Sequence, residues 1–197
     1  MTDPHDVDAP SAWVVRHAHR IAAGMRVLDV AAGRGRHARF LARRGALVTA
    51  VDRDAGALRA LAGEPGVTTC VADLEGGAWP FAERFDAIVV ANYLHRPLLP
   101  VLRDAMAVGG LVVYETFMIG NEAFGRPTNP AFLLAPGELL EWAVATPALT
   151  VVAFEQGRVL LGARPAVVQR LVALDPAAGV PAALDPPAPP EPTGNAP

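Results

Sequence analysis

The chain contains no lysine. All 17 of its basic residues are arginine, set against 20 acids for a net charge of −3. That balance leaves no general attraction to nucleic acid. The single cysteine, Cys70, excludes an internal disulfide and any cysteine-built zinc site. Lying in the apolar run Val67-Thr68-Thr69-Cys70-Val71, it reads as a small core residue. No apolar run reaches the roughly 18 residues of a membrane span. Met1–Pro10 is acidic and polar, where a secretory leader would be basic and then apolar. The expectation is a cytoplasmic protein without a membrane partner. Charged residues are sparse at 19% against 52% hydrophobic, which excludes a disordered chain.

The 197 residues suffice for one α/β domain with a real core. Residues 1–10 read as a flexible lead, 11–174 as the folded domain, and 175–197 as a tail too rich in Pro and Ala to build a core. Ser11 can cap a helix running to about Ala23, with Trp13, Ala18 and Ile21 inward and Gly24 as its stop. His17 and His19 are two apart, which puts them on different sides of a helix and not in a metal pair. Apolar strands are expected at 26–30, 46–51, 67–71, 85–91 and 111–117, with helices at 36–44, 55–62 and 98–107 between them. Gly109-Gly110 reads as the turn into the fifth strand. These runs are continuous rather than alternating, the pattern of a parallel sheet covered on both faces in a doubly wound α/β fold. A loop of about eighteen residues, 118–135, carries aromatic and apolar side chains and reads as a packed cover over a pocket. After a helix at 136–145, residues 149–155 and 158–161 read as an excursion turning at Gln156-Gly157, and 166–174 as the last strand.

The organising stretch is Val27-Leu28-Asp29-Val30-Ala31-Ala32-Gly33-Arg34-Gly35-Arg36-His37. A strand, a glycine turn and a helix open a nucleotide-binding unit, because glycine lets the backbone approach a ligand closely. Gly33-x-Gly35-x-x-Ala38, with Asp52 some twenty residues on, satisfies a relaxed dinucleotide fingerprint. Two acids point elsewhere. Asp29 stands inside the strand end where that fingerprint keeps an apolar residue, and Asp73 ends a further apolar run.

With Asp29, Asp52 and Asp73 closing three successive strands, the chain resembles the class I S-adenosylmethionine-dependent methyltransferases. Gly33-Arg34-Gly35-Arg36-His37 and Pro136-Gly137-Glu138-Leu139 look like the tellurite-resistance, TehB-like group within them. The resemblance implies a Rossmann-like, mostly parallel seven-stranded sheet with a C-terminal antiparallel hairpin. It implies S-adenosylmethionine as cofactor and S-adenosylhomocysteine as product. Asp29, Ala31, Gly33 and Gly35 would lie near the methionine part, Asp52 would take the ribose hydroxyls, and Asp73 would face the adenine amino group. Arg53, Leu74 and Asn92 complete the expected cofactor wall. Ala31 departs from the common pattern, which has glycine there, and fits the turn if its φ is negative.

Methyl transfer needs alignment and exclusion of water, and a soft anionic acceptor, the soft anion or thiol expected here reacting in its anionic form, needs no base. An oxygen or nitrogen acceptor brings in His95 as general base, imidazole titrating near neutrality, with Tyr93 beside it as a second candidate for the catalytic site. Arg96, Glu115 and Arg126 are the candidate substrate residues: either arginine can hold an anion, or pair with an acid to pin the loop. No carboxylate cluster for a metal is apparent. A small-molecule acceptor is the expected partner. The alternatives are an RNA acceptor met by the arginines between Arg16 and Arg44, an NAD-dependent oxidoreductase, and a protein that binds the cofactor without turnover.

Overall fold

Val27, Leu28, Val30, Ile88, Val90 and Val112 are all essentially sealed from solvent, as residues of a strand covered on both faces must be. The computed structural model describes residues 9–145 and 147–179. Its strands are β1 (Arg26–Val30), β2 (Leu47–Asp52), β3 (Val67–Val71), β4 (Phe85–Ala91), β5 (Met106–Phe117), β6 (Thr150–Leu161) and β7 (Arg164–Leu174). They form one seven-stranded sheet in the order β3-β2-β1-β4-β5-β7-β6. The first five run parallel, while β7 is antiparallel to both β5 and β6. The expected Rossmann-like sheet with its antiparallel hairpin is therefore present.

Side chains alternate across the sheet and feed two layers. On one side Leu28, Val30, Ile88, Val90, Val112 and Tyr114 pack against helices α4 (Leu98–Asp104) and α5 (Glu138–Val144). On the other, Val27, Ala87, Val89 and Val113 meet α1 (Ala12–His17), α2 (Arg36–Ala42) and α3 (Ala55–Leu58). Trp13, 1% exposed, anchors α1: its indole N–H donates to Leu171 O, and the guanidinium groups of Arg16 and Arg170 lie 5.5 and 5.7 Å from its ring.

Several local expectations shift. The first helix stops at His17 and tightens into a 3₁₀ turn over Ala18–Arg20, well short of Ala23. The helix expected at 55–62 likewise ends at Leu58 and continues as a 3₁₀ turn. Gly109-Gly110 does not precede β5 but lies within it, where its pairing with β4 is irregular. A Cβ at Gly110 would meet Ala107 O at 2.8 Å and Phe85 O at 3.2 Å, so close backbone approach explains this glycine. Nor does the chain turn at Gln156-Gly157. β6 runs straight through them, and the hairpin reverses at Gly162-Ala163. A glycine inside a strand carries the same local signal as one in a turn; only the pairing partner distinguishes them.

The lead and the tail expected from composition lie outside the described residues at 1–8 and 180–197. The start of the tail is built into the fold. Asp175 caps a 3₁₀ turn over Pro176–Ala178, accepts from Gly109 N at 3.1 Å, and donates its own N–H to Gly110 O at 2.8 Å.

Candidate functional site

The crossovers leave β1 and β4 in opposite directions, and in such sheets ligands bind beyond the carboxyl ends of the strands at that switch. A cleft of about 210 Å³ lies at these ends, lined by Ala31, Asp52, Arg53, Ala72, Asp73, Leu74, Glu75 and Tyr93. The two strands flanking the switch each end on a non-glycine residue at positive φ: Ala31 at 53° after β1, and Asn92 at 57° after β4. Asparagine tolerates this region, whereas alanine is strained there by about 1–2 kcal/mol. The negative φ expected of Ala31 is thus overturned. A turn this tight needs the left-handed conformation at that position whatever the side chain.

Bonds on several sides fix the turn. Ala32 N donates to Val51 O at 3.0 Å and Gly35 N to Ala32 O at 2.8 Å. Gly33 N donates to Asp52 Oδ2 at 2.7 Å, while Asp52 Oδ1 accepts from Asp54 N at 2.9 Å. The second-strand acid therefore both lines the cleft and braces the glycine turn. Gly33 faces open space, so a ligand can come up against its backbone. A Cβ at Gly35 would collide with Leu61 at 2.4 Å, which makes this glycine a packing requirement between α2 and the 3₁₀ turn after α3.

Asp29 does not line the cleft. It is 1% exposed behind the turn, where its Oδ2 accepts from Ala38 N at 3.0 Å. Gly35, the residue before α2, has no side chain to cap the helix, so the carboxylate of β1 does it from a distance. Burial lifts Asp29 to about 7, against the opposing pull of that backbone N–H and of Arg36. His37 Nδ1 lies 4.0 Å from Asp29 Oδ1, and its Nε2 accepts from Ser11 N at 3.1 Å. Burial, helped by Arg36, pushes His37 down to about 3, so the ring is neutral.

The remaining candidates are dispersed. Asp73 lines the cleft and holds its own loop through Glu75 N at 3.0 Å. Tyr93 lines the cleft too. Its phenol is pushed up to about 12 by burial, by the charge of Glu75 and by a hydrogen bond to that carboxylate. It is a donor at neutral pH. His95 lines an adjoining pocket of about 200 Å³ with Trp79, Pro97, Leu98 and Val101, on the other side of Leu74 and Glu75. Arg96 grips the loop: its Nε and Nη2 reach Glu138 at 2.6 and 2.9 Å, and it also donates to Ala131 O and Leu133 O. Glu115, 1% exposed, points beneath the sheet end to Ser11 Oγ at 2.6 Å and Arg170 Nε at 2.5 Å. Arg126 is exposed on the loop. Among the described residues no group of three or more potential metal ligands gathers, and no helix is long and apolar enough to cross a membrane.

The 118–135 loop, none of whose residues lines either of these two pockets, is fastened at both ends. Asn121 Oδ1 accepts from Val167 N and its Nδ2 donates to Pro127 O. Gln169 accepts from Leu139 N and donates to Ala135 O. Sequence reading missed Glu75, which borders both pockets, and the buried pair Ser11 and His37. An acid two residues beyond Asp73 and just before Gly76-Gly77 was the available signal for Glu75. Ser11 was read only as a helix cap, a role it has, and His37 only as part of the glycine-rich stretch; no local signal marked the contact between them.

Residues 27–108 match a family model described as a methyltransferase domain. Among curated proteins none matches the sequence. Solved structures share the fold. TehB from Haemophilus influenzae is 20% identical with a TM-score of 0.72, over 87% of this chain and 64% of that one. A TehB-like SAM-dependent methyltransferase from Corynebacterium glutamicum is 20% identical with a TM-score of 0.59, over 83% and 86%. The Burkholderia thailandensis 1,6-didemethyltoxoflavin-N1-methyltransferase, solved with that compound and S-adenosylhomocysteine, is 21% identical with a TM-score of 0.63, over 87% and 79%. The present chain thus spans about two thirds of the TehB length, and nearly all of its own fold is shared. Residues 27–108 thus match a methyltransferase domain, and the chain shares the fold of solved S-adenosylmethionine-dependent methyltransferases.

Proposed function

We propose that this protein transfers the methyl group of S-adenosylmethionine to a small-molecule acceptor in a pocket beneath the 118–135 loop. The observation that carries this reading is the cleft at the switch point, where Asp52 and Asp73 at adjacent strand ends border apolar walls from Ala31, Ala72, Leu74 and Tyr93. The residues present fit an adenosyl group. Asp52 has carboxylate lone pairs for two ribose hydroxyls, the flat Tyr93 ring and Leu74 suit a base, and open space at Gly33 admits close backbone approach. Asp52, Asp73 and Glu75 outnumber Arg53, a field that favours a cationic ligand. A comparison protein solved with S-adenosylhomocysteine supports the same cofactor.

The cofactor, when bound, supplies a methyl group on a sulfonium. The chain's own contribution is to orient and to exclude water. The brace from Asp52 to Gly33 holds the turn, Arg96 and Gln169 fasten the 118–135 loop, and Tyr93 keeps its proton as a hydrogen-bond donor. A soft anion attacks with its own lone pair and needs no base from the protein, and a thiol reacts as its thiolate, its proton having gone to solvent. A base at His95 requires an acceptor that reaches in from the Trp79 pocket. Several of the arginines between Arg16 and Arg44 face acids of this chain: Arg16 with Glu155, Arg26 with Asp86, and Arg43 with Glu64. That weighs against an RNA-binding stripe. Calorimetric titration with S-adenosylhomocysteine tests the cofactor. Transfer of labelled methyl to thiols, metalloid oxyanions or total RNA tests the acceptor. Heats no larger than dilution on folded protein would overturn the reading.

A further inference from the structure

Ser11 lies outside the matched domain segment and does not line the cleft, yet it joins the supports of both strained residues at the switch point. On one side its N–H donates to His37 Nε2 at 3.1 Å. His37 faces Asp29, and Asp29 caps α2 through Ala38 N, so this arm runs into the strand and helix that flank Ala31. On the other side its hydroxyl donates to Glu115 Oε1 at 2.6 Å, and the backbone carbonyl of Glu115 accepts from Asn92 N at 2.8 Å. The hydroxyl oxygen also caps α1 by accepting from Trp13 N at 3.1 Å. Every member of this chain is buried: Ser11 at 8%, His37 at 4%, Asp29 and Glu115 at 1%. Arg170 closes it beyond Glu115, and Arg36 ties the same segment a second time by donating to Ala9 O.

A residue held at positive φ without being glycine persists only where its surroundings over-determine it. Ala31 and Asn92 are the two such residues among those described, one each at the ends of β1 and β4. Hydrogen bonds within the turn account for part of that constraint. The buried chain through Ser11 reaches the elements flanking both residues from the start of α1.

We propose that Ser11 and His37 are positioning residues of the cofactor site, through which docking of the segment 9–13 sets the conformation of the turn at Ala31 and of Asn92. The proposal rests on the cofactor reading above and assigns its methionine end, rather than its adenosine end, to this control. Asp73 is held by its own loop, and Asp52 is held by Asp54 N as well as by the turn, so the adenosine end depends on Ser11 less than the methionine end does.

The test compares S-adenosylhomocysteine with adenosine as ligands of Ser11→Gly, His37→Leu and His37→Gln in the full chain. Glycine keeps the Ser11 N–H and costs a helix cap little, so Ser11→Gly removes chiefly the hydroxyl arm. Glutamine at 37 offers an acceptor near the Nε2 position, whereas leucine offers none. The expected result is a loss of S-adenosylhomocysteine affinity of fivefold or more in Ser11→Gly and His37→Leu, with adenosine affinity within twofold of wild type and affinity largely restored in His37→Gln. Equal losses for both ligands, or unchanged affinities despite a lowered melting temperature, would make the chain merely structural and overturn the proposal. If His37→Leu does not fold, Ser11→Gly and His37→Gln decide the matter by the same comparison. A wild-type protein that takes up neither ligand sinks the cofactor reading itself. Wild-type binding with unaffected variants sinks only this inference.

Discussion

His37 Nδ1 lies 4.0 Å from Asp29 Oδ1 in a site almost closed to solvent, and the two groups are displaced in opposite directions, Asp29 up to about 7 and His37 down to about 3. Around pH 5 the unfolded chain holds a charged carboxylate and a charged imidazole, whereas the folded chain holds both neutral. Each state carries one proton on the pair.

That equality predicts a flat stability profile. From about pH 4 to 6.5 Asp29 binds more protons folded than unfolded, so its contribution falls as pH rises. His37 binds fewer folded, so its contribution rises by a similar slope of about 1.4 kcal/mol per pH unit. In His37→Leu only the Asp29 slope survives, and that variant should gain stability relative to wild type on going from pH 7 to pH 5. Urea midpoints at the two pH values measure it. A variant with the wild-type pH dependence would refute the assignment.

Asp52 serves ligand and turn together, bracing Gly33 N at 2.7 Å while lining the cleft. Asp52→Ala should lower S-adenosylhomocysteine affinity tenfold or more, in line with about 1.5–3 kcal/mol for a hydrogen bond to a charged group. Unchanged titration heats would remove Asp52 from the ribose site.

Arg96 and Glu138 form a bidentate pair, with burial and the Arg96 bond acting in opposite senses on Glu138 and the net direction downward. The arginine is 41% exposed, so solvent screens the pair and a coupling of about 1 kcal/mol is expected from a double-mutant cycle. Arg96→Ala should also speed amide exchange at Leu133 and Leu134 in the 118–135 loop. Exchange that does not change would mean that Asn121 and Gln169 fasten the loop unaided.

Ala31 stands at φ 53°, in the left-handed region that favours glycine. Ala31→Gly should relieve about 1–2 kcal/mol of strain and give back about 0.5–1 kcal/mol through the freer unfolded chain. The net expectation is a melting temperature raised by a few degrees. A lowered one would show that the methyl group's contacts outweigh the strain.

The sheet was legible because its evidence is local. Val27 to Val30 and Phe85 to Ala91 are apolar enough for burial on both faces, and those strands formed where the residues indicated. Asp73 and Tyr93 were legible as candidates because strand ends converge in this fold, and the cleft collects them. Gly110 and Gly157 misled because glycine marks both a turn and a strand position where another backbone passes.

Residue order alone thus determined the strand–turn–helix opening, the acids at the strand ends and the two-sided burial of the central strands, since backbone preference and hydrophobic pattern act over a few residues. Tertiary structure decided that Asp29 caps a helix behind the cleft, that Arg96 and Glu115 meet groups of the chain itself, and that Ser11 meets both His37 and Glu115. Those partners lie 26 and 104 positions from Ser11, and a charged or polar side chain takes whichever partner the fold brings within about 3 Å.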